Sequence, residues 1–196
     1  TLKPDYIIVF QNENHISIEH LKSKYKFIHI KSDYNTKFYG RFTYCINFPV
    51  DICIIMDDDI FPAKHCIENY INQCINLHSI IGGNGRPINR NKDTLDKFNI
   101  DYEEIGIRKS KKVDFVGHMW CFKKDWLYYM FSIKPYTFDT GEDMHLCLSS
   151  KIRGNIDSYV GEHKNIEELC DITNNLYAND EFSSYKYTSN ELRLSI

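Results

Sequence analysis

The sequence predicts an α/β fold, a single domain with a mixed, mainly parallel β-sheet flanked by helices. Short β-branched and aromatic runs alternate along the chain with stretches of helical spacing. The 196 residues are enough for one sizeable core and about one domain. Apolar content of 42 % and charged content of 26 % are those of an ordinary globular chain.

The elements follow in order. Residues 6–10 (Tyr-Ile-Ile-Val-Phe) predict a first strand, stopped by the polar Gln11, Asn12, Glu13 and Asn14. Residues 18–25 predict a short helix, 27–30 a second strand and 32–36 a polar turn. Residues 37–48 have mixed helical character, and 51–56 form a third strand with a wholly apolar interior. Ile67, Tyr70, Ile71, Cys74 and Ile75 then recur at the spacing of an amphipathic helix. Residues 79–83 return as a strand and run into a Gly-rich loop. The polar stretch 90–110 is expected to be a mobile loop. Residues 112–116 predict a strand, 124–131 and 144–152 two helices, and Tyr159-Val160 a last short strand. Beyond Asn165 the chain is polar with scattered aromatics, which predicts an irregular C-terminal arm.

Bulk properties exclude several classes of function. The net charge of −3 offers no electrostatic footprint for nucleic acid. No apolar run approaches the roughly 20 residues of a membrane span, and Lys3, Pro4 and Asp5 interrupt any secretory signal. Seven Cys, an odd number with no Cys-x-x-Cys pair, argue against a disulfide framework or a structural zinc site. Cys45, Cys53, Cys74 and Cys147 sit in apolar patterns, where a free thiol behaves as a small hydrophobe. A reducing, cytoplasmic setting is expected. The chain opens on Thr1, which leaves room for a longer polypeptide.

The most informative stretch is Ile54-Ile55-Met56-Asp57-Asp58-Asp59, an apolar strand ending in three adjacent carboxylates. Like charges there raise one another's pKa, and desolvation raises them further. A divalent cation removes that repulsion, and Mg2+ or Mn2+ shares its oxygen ligands with substrate phosphates. The other reading is a solvated turn or the cap of the following helix. A second constellation, Asp139-Thr140-Gly141-Glu142-Asp143, places two acids at the start of a predicted helix. They either complement the helix dipole or supply a general base. Strand-end residues Gln11, Asn12, Asp33 and Asn35 are expected to share one sheet edge with the triplet, where α/β sheets bind ligands.

This order of elements resembles the GT-A class of nucleotide-sugar glycosyltransferases, whose fold is a Rossmann-like nucleotide-diphospho-sugar transferase domain. The matches are the opening strand and polar loop (6–12), Gly40-Arg41-Phe42 ahead of the acidic strand, the triplet as a DxD motif in its DDD form, and the paired Gly117-His118-Met119-Trp120 and Gly141-Glu142-Asp143-Met144. The pattern of Arg-Phe, then DDD, then the late acids is closest to exostosin-like glycosyltransferases. It is also similar to glycosyltransferase domains encoded by large algal viruses, which places such a protein in host cytoplasm.

The resemblance, spanning about 5–165, implies a division of the single domain 1–196 into a nucleotide-binding half (about 1–62), an acceptor-side half (63–165) and an arm (166–196). It implies that Asp59 ligates Mn2+ or Mg2+, that Asp57 acts at the ribose or through a metal-bound water, and that Asp58 touches the donor sugar. Arg41 would contact the diphosphate or the base, a task suited to a guanidinium fork. Gln11, Asn12 and Asp33 would line the nucleoside pocket, with Asn35 the match for an Asn of the family. Asp143, with Glu142 beside it, would be the catalytic acid-base group, either deprotonating the acceptor hydroxyl or lying near the anomeric carbon. His163 matches a late His that ligates metal in some members. His118 would bind acceptor and Trp120 stack on a sugar ring, or both belong to the core; Arg86 faces the donor or sits in a turn.

The expected function is transfer of a sugar, of the hexosyltransferase type, from a UDP-sugar to a glycan or glycoprotein hydroxyl. UDP rests on the family alone. The rivals are a non-catalytic metal-dependent nucleotide- or carbohydrate-binding module and a DxD phosphatase. The phosphatase would place its nucleophile near the N-terminus with Thr or Val after it, where this chain has two earlier strands and Ile60.

Overall fold

A computed structural model describes residues 2–13, 16–90, 98–100 and 109–172. The strands are β1 (Ile8–Asn12), β2 (Ile28–Ser32), β3 (Ile52–Met56), β4 (Ile80–Arg86), β5 (Ile88–Arg90), β6 (Phe98–Ile100), β7 (Lys111–Val113), β8 (Phe115–Lys123) and β9 (Ser158–Val160). The helices are α1 (Glu19–Lys22), α2 (Gly40–Cys45), α3 (Cys66–Leu77), α4 (Leu127–Ser132) and α5 (Glu142–Gly154).

The main sheet has five strands in the order β3-β8-β4-β9-β7. β8 runs antiparallel to both β3 and β4, β9 runs parallel to β4, and β7 opposes β9. The sheet is therefore mixed: β3, β4 and β9 share one direction, and β8 and β7 run against it. β1 and β2 form a separate parallel pair, and β5 and β6 a separate antiparallel one. The α/β class and the mixed character of the sheet agree with the sequence reading, but the sheet is not mainly parallel: three of its four neighbouring strand pairs are antiparallel, because β8 and β7 run against the other three strands.

The main departure is β8. The sequence suggests one strand at 112–116; the chain instead breaks at Asp114 and continues as a nine-residue strand to Lys123. β8 is buried nearly throughout, because neighbours cover both of its faces, so it lacks the alternation that marks a half-exposed strand. The expected Gly-rich loop is also strand. A Cβ on Gly82 would lie 2.2 Å from Val116 Cβ, and one on Gly85 would lie 2.7 Å from Val113 Cγ2. These glycines let β4 approach its neighbours closely.

α3 packs through Cys66, Tyr70 and Cys74, one helical face, and ends at His78, which takes a left-handed φ of 48°. The helix expected at 18–25 shrinks to the single turn α1; residues 23–26 are exposed and have no apolar face to hold them in a helix. The core gathers Phe42 from α2, Tyr70 from α3, Trp120 and Phe122 from β8, and Leu146 and Cys147 from α5. All seven cysteines are free thiols, six of them buried. No described helix is long and apolar enough to cross a membrane. Most of the expected loop 90–110, and the arm beyond residue 172, lie outside the described residues.

Replacing Gly82 by Ala forces the added methyl into Val116, and overpacking of this kind costs about 1–3 kcal/mol. The variant is expected to unfold at lower denaturant with an unchanged slope; equal midpoints would mean that β4 and β8 are not packed this closely.

Candidate functional site

The site forms where β3 ends. Asp57 continues the pairing with β8, its backbone N–H donating to the His118 carbonyl at 3.0 Å. The chain then turns, Ile60 N–H donating to the Asp57 carbonyl at 3.3 Å, and buried Ile60 anchors the turn. Asp59 is thereby held near Asp57; Asp57 is half-buried, and Asp58 and Asp59 are both exposed.

β8 supplies the third group through a bulge. Gly82 pairs with Trp120 and Asn84 with Gly117, so His118 and Met119 together oppose Gly83. His118 absorbs the extra residue with φ of 61°, a conformation uncommon outside glycine. A bulge re-aims a side chain, and the His118 Nδ1 lies 3.8 Å from Asp57 Oδ2. Ligating atoms of Asp57, Asp59 and His118 all lie within 4.8 Å of one another.

The electrostatics of these three groups fit a cation. Burial raises the pKa of Asp57, with Arg41 and His118 opposing. Burial and then the Asp57 charge raise that of Asp59. Burial lowers the pKa of His118 against the pull of both aspartates, which keeps the imidazole neutral and its lone pair available. Two carboxylates that resist sharing negative charge, beside a neutral imidazole, form a donor set that could hold a divalent metal ion.

Arg41, on α2, links this group to α5. One terminal nitrogen donates to Asp57 Oδ1 and the other to Glu142 Oε1, the latter at 2.5 Å. Its guanidinium lies 4.4 Å from the Trp120 ring centroid, a cation–π contact. Burial works against the Arg41 charge, but Asp57 and Glu142 outweigh it and raise its pKa. Glu142 is buried in the first turn of α5, behind Gly141 with φ of 80°. Burial and then the neighbouring Asp143 charge push its pKa up, with Arg41 countering. Asp143 is half-buried, and both acids act on the buried Tyr39, whose pKa is raised by burial first.

The residues singled out from the sequence do not share the one sheet edge expected of them but divide mainly between two places, because β1 and β2 form a sheet of their own apart from β3. Asp57, Asp59, His118, Arg41, Trp120, Glu142 and Asp143 converge at the end of β3. Arg86, the last residue of β4, is close enough for its charge to disfavour protonation of His118. Gln11, Asn12, Asp33 and Asn35 gather at the ends of β1 and β2. The Asn12 carboxamide accepts from the Thr36 backbone and hydroxyl, both at 2.9 Å, and donates to Asn35 Oδ1 at 3.0 Å. Asn35 donates to Glu13 at 2.8 Å, and Gln11 meets His29 at 2.8 Å. Asp33 is exposed.

Two side chains do not take the ligand roles that the resemblance implies, Trp120 being the core residue of the alternative reading. Trp120 is 2 % exposed and lies under Arg41 and Phe42, so it has no free face for a sugar ring. His163 is buried against α3, its Nε2 2.8 Å from the Tyr70 hydroxyl, and is not a member of the Asp57-Asp59-His118 group. His118 takes the position beside the two aspartates. Sequence reading also passes over Asp171, a buried carboxylate that accepts from the Phe61 backbone at 3.3 Å and acts on His118. It lies in a strap that pairs with the chain just after the triplet, through Ala63 N to Leu169 O and Ile172 N to Phe61 O. No family model matches the sequence, and no curated protein matches it.

Protons and a cation compete for this group, which fixes the sign of the pH dependence. The aspartates titrate above their ordinary 3.8 and His118 below its ordinary 6.5. Affinity for Mn2+ or Mg2+, followed by calorimetry, is expected to fall as pH drops and these three groups take up protons. His118→Ala should weaken it by at least about tenfold; an unchanged affinity would remove His118 from the site.

Proposed function

We propose that this protein is a metal-dependent glycosyltransferase with a GT-A-type fold, moving a sugar from a UDP-sugar to a hydroxyl of a glycan or glycoprotein. The observation that carries this reading is the Arg41 bridge from Asp57 of the DDD triplet to Glu142 of the late acidic pair. Three motifs far apart in sequence, Gly-Arg-Phe, Asp-Asp-Asp and Glu-Asp, meet at one strand end. A structural turn or a helix cap requires no such meeting.

Asp57, Asp59 and His118 would hold Mn2+ or Mg2+, which supplies positive charge to the diphosphate of the leaving group. The donor set, one imidazole among carboxylates, suits Mn2+ better than Mg2+. The bond from the anomeric carbon to the diphosphate oxygen breaks with its electron pair leaving on UDP. The acceptor oxygen bonds to the same carbon and gives up its proton. Asp143 is the group assigned to that proton in an inverting reaction, since Glu142 is buried and committed to Arg41. Asp58, exposed after the strand end, would touch the donor sugar. Gln11, Asn12, Asp33 and Asn35 form the nucleoside edge. The seven free thiols suit a cytoplasmic setting.

Calorimetry with a panel of nucleotides and UDP-sugars, with Mn2+ and with chelator, tests the reading. One UDP-sugar should bind at micromolar affinity, needing both the metal and Asp59, and Asp143→Ala should retain that binding while losing transfer. Retained turnover in Asp143→Ala would remove it as the base. Absence of any metal-dependent nucleotide binding would overturn the proposal.

A further inference from the structure

We infer that Arg41 is a positioning residue for the metal group: it fixes the carboxylate of Asp57 from behind and makes that carboxylate's orientation depend on Glu142 of α5. The inference rests on the metal part of the proposed function and is independent of sugar transfer.

The guanidinium is engaged at both terminal nitrogens and on its face, while its Nε is buried with no hydrogen-bond partner among the described residues. Its two terminal nitrogens are divided between Asp57 Oδ1 and Glu142 Oε1, and its face lies on Trp120. Phe42 and Phe38 lie within 5.6 and 5.8 Å of the same cation. Its fork is held by two carboxylates and flanked by three aromatic rings. Its division of labour at Asp57 is also specific. Arg41 takes Oδ1, whereas Oδ2 is the oxygen facing His118. The guanidinium therefore occupies one oxygen and presents the other to the cation group. Outer partners of this kind orient a ligand, and their loss costs about 10–100-fold in metal affinity.

Glu142 sets Arg41 from the far side. It is buried in the first turn of α5 and is hydrogen bonded to Arg41 across 101 positions of sequence. Asp143 is the next residue of the same turn. One arginine thus connects the turn that carries the proposed base to the carboxylate that would hold the cation.

Positioning and simple charge repulsion predict opposite signs. If Arg41 merely repelled a divalent cation, removing its charge would tighten Mn2+ binding. If it orients Asp57, removal weakens binding. Mn2+ alone is titrated into wild type, Arg41→Met, Arg41→Lys, Glu142→Gln and the Arg41→Met/Glu142→Gln pair, each checked by circular dichroism and thermal melting. Arg41→Met is expected to weaken Mn2+ by about tenfold or more. Arg41→Lys should also weaken it, because one ammonium cannot hold both carboxylates in a fixed fork. Glu142→Gln should weaken it less, and the double variant should be no worse than Arg41→Met, because Glu142 acts through Arg41. If Arg41→Met does not fold, Arg41→Lys and Glu142→Gln carry the test alone. Unchanged or tighter Mn2+ binding in folded Arg41 variants would overturn the inference, as would additive losses in the double variant. Mn2+ binding by wild type without UDP-sugar turnover would leave the inference standing and count against sugar transfer alone.

Discussion

Everything at the end of β3 depends on how negative charge is held in a partly buried place. Asp57, Asp59 and Glu142 each titrate above the usual carboxylate range, and in each case burial is the leading cause. Two carboxylates within 4.8 Å repel by on the order of 3 kcal/mol at an effective dielectric of about 20, and less where water reaches Asp59. Arg41 is the cation bound to two of these groups, and it cannot serve Asp59 as well. Among the described residues Arg41 pairs with Asp57 and Glu142 and leaves Asp59 without an ion pair to an arginine or lysine. A divalent cation held by Asp57, Asp59 and His118 would supply charge of the opposite sign there.

The elements that build the site each deliver one group to that problem. α2 brings Arg41, β3 and its turn bring the aspartates, and α5 brings Glu142 and Asp143. β8 does most: it pairs with β3 and β4, gives Trp120 as the surface beneath Arg41, and turns His118 toward Asp57 through its bulge. A regular β8 would put residue 118 in ordinary alternation with its neighbours. The left-handed backbone at His118 is a local strain of the sort that persists at functional sites because surrounding structure enforces it. Here the enforcement is pairing on both sides of the strand.

The sequence made some of this legible and concealed the rest for physical reasons. Charge that follows a buried strand, or opens a helix, is a local signal, so the triplet and Glu142-Asp143 stand out. The α/β class follows from periodicity that is likewise local. His118 is a different matter, because its place beside Asp57 depends on the β3 and β8 register and on one extra residue opposite Gly83. Gly117 before it, a break in an otherwise apolar run, was the available sign of a bulge. His163 misleads in the converse way: a late His suggests a ligand, but Tyr70, 93 positions earlier, takes its ring nitrogen. Trp120 reads equally as stacking platform or core until Arg41 is seen to cover it. The glycines of β4 read as loop because sequence does not reveal that Val116 fills the space a side chain would need.

The same dependence on remote contacts explains how the N-terminal pair β1–β2 bears on the site. It shares no strand pairing with the main sheet among the described residues. Its attachments fall instead on the segment that leads into and through α2. Asn12 holds Thr36, Asn35 and Lys37; Phe10 packs on Tyr44 at 4.7 Å; Tyr6 packs on Phe48 at 5.3 Å. A Cβ on Gly40 would meet Thr36 and Phe10 together, so the start of α2 is pressed directly against β1. Arg41 is the next residue. The polar residues at the ends of β1 and β2 are therefore coupled through one short helix to the guanidinium that holds Asp57.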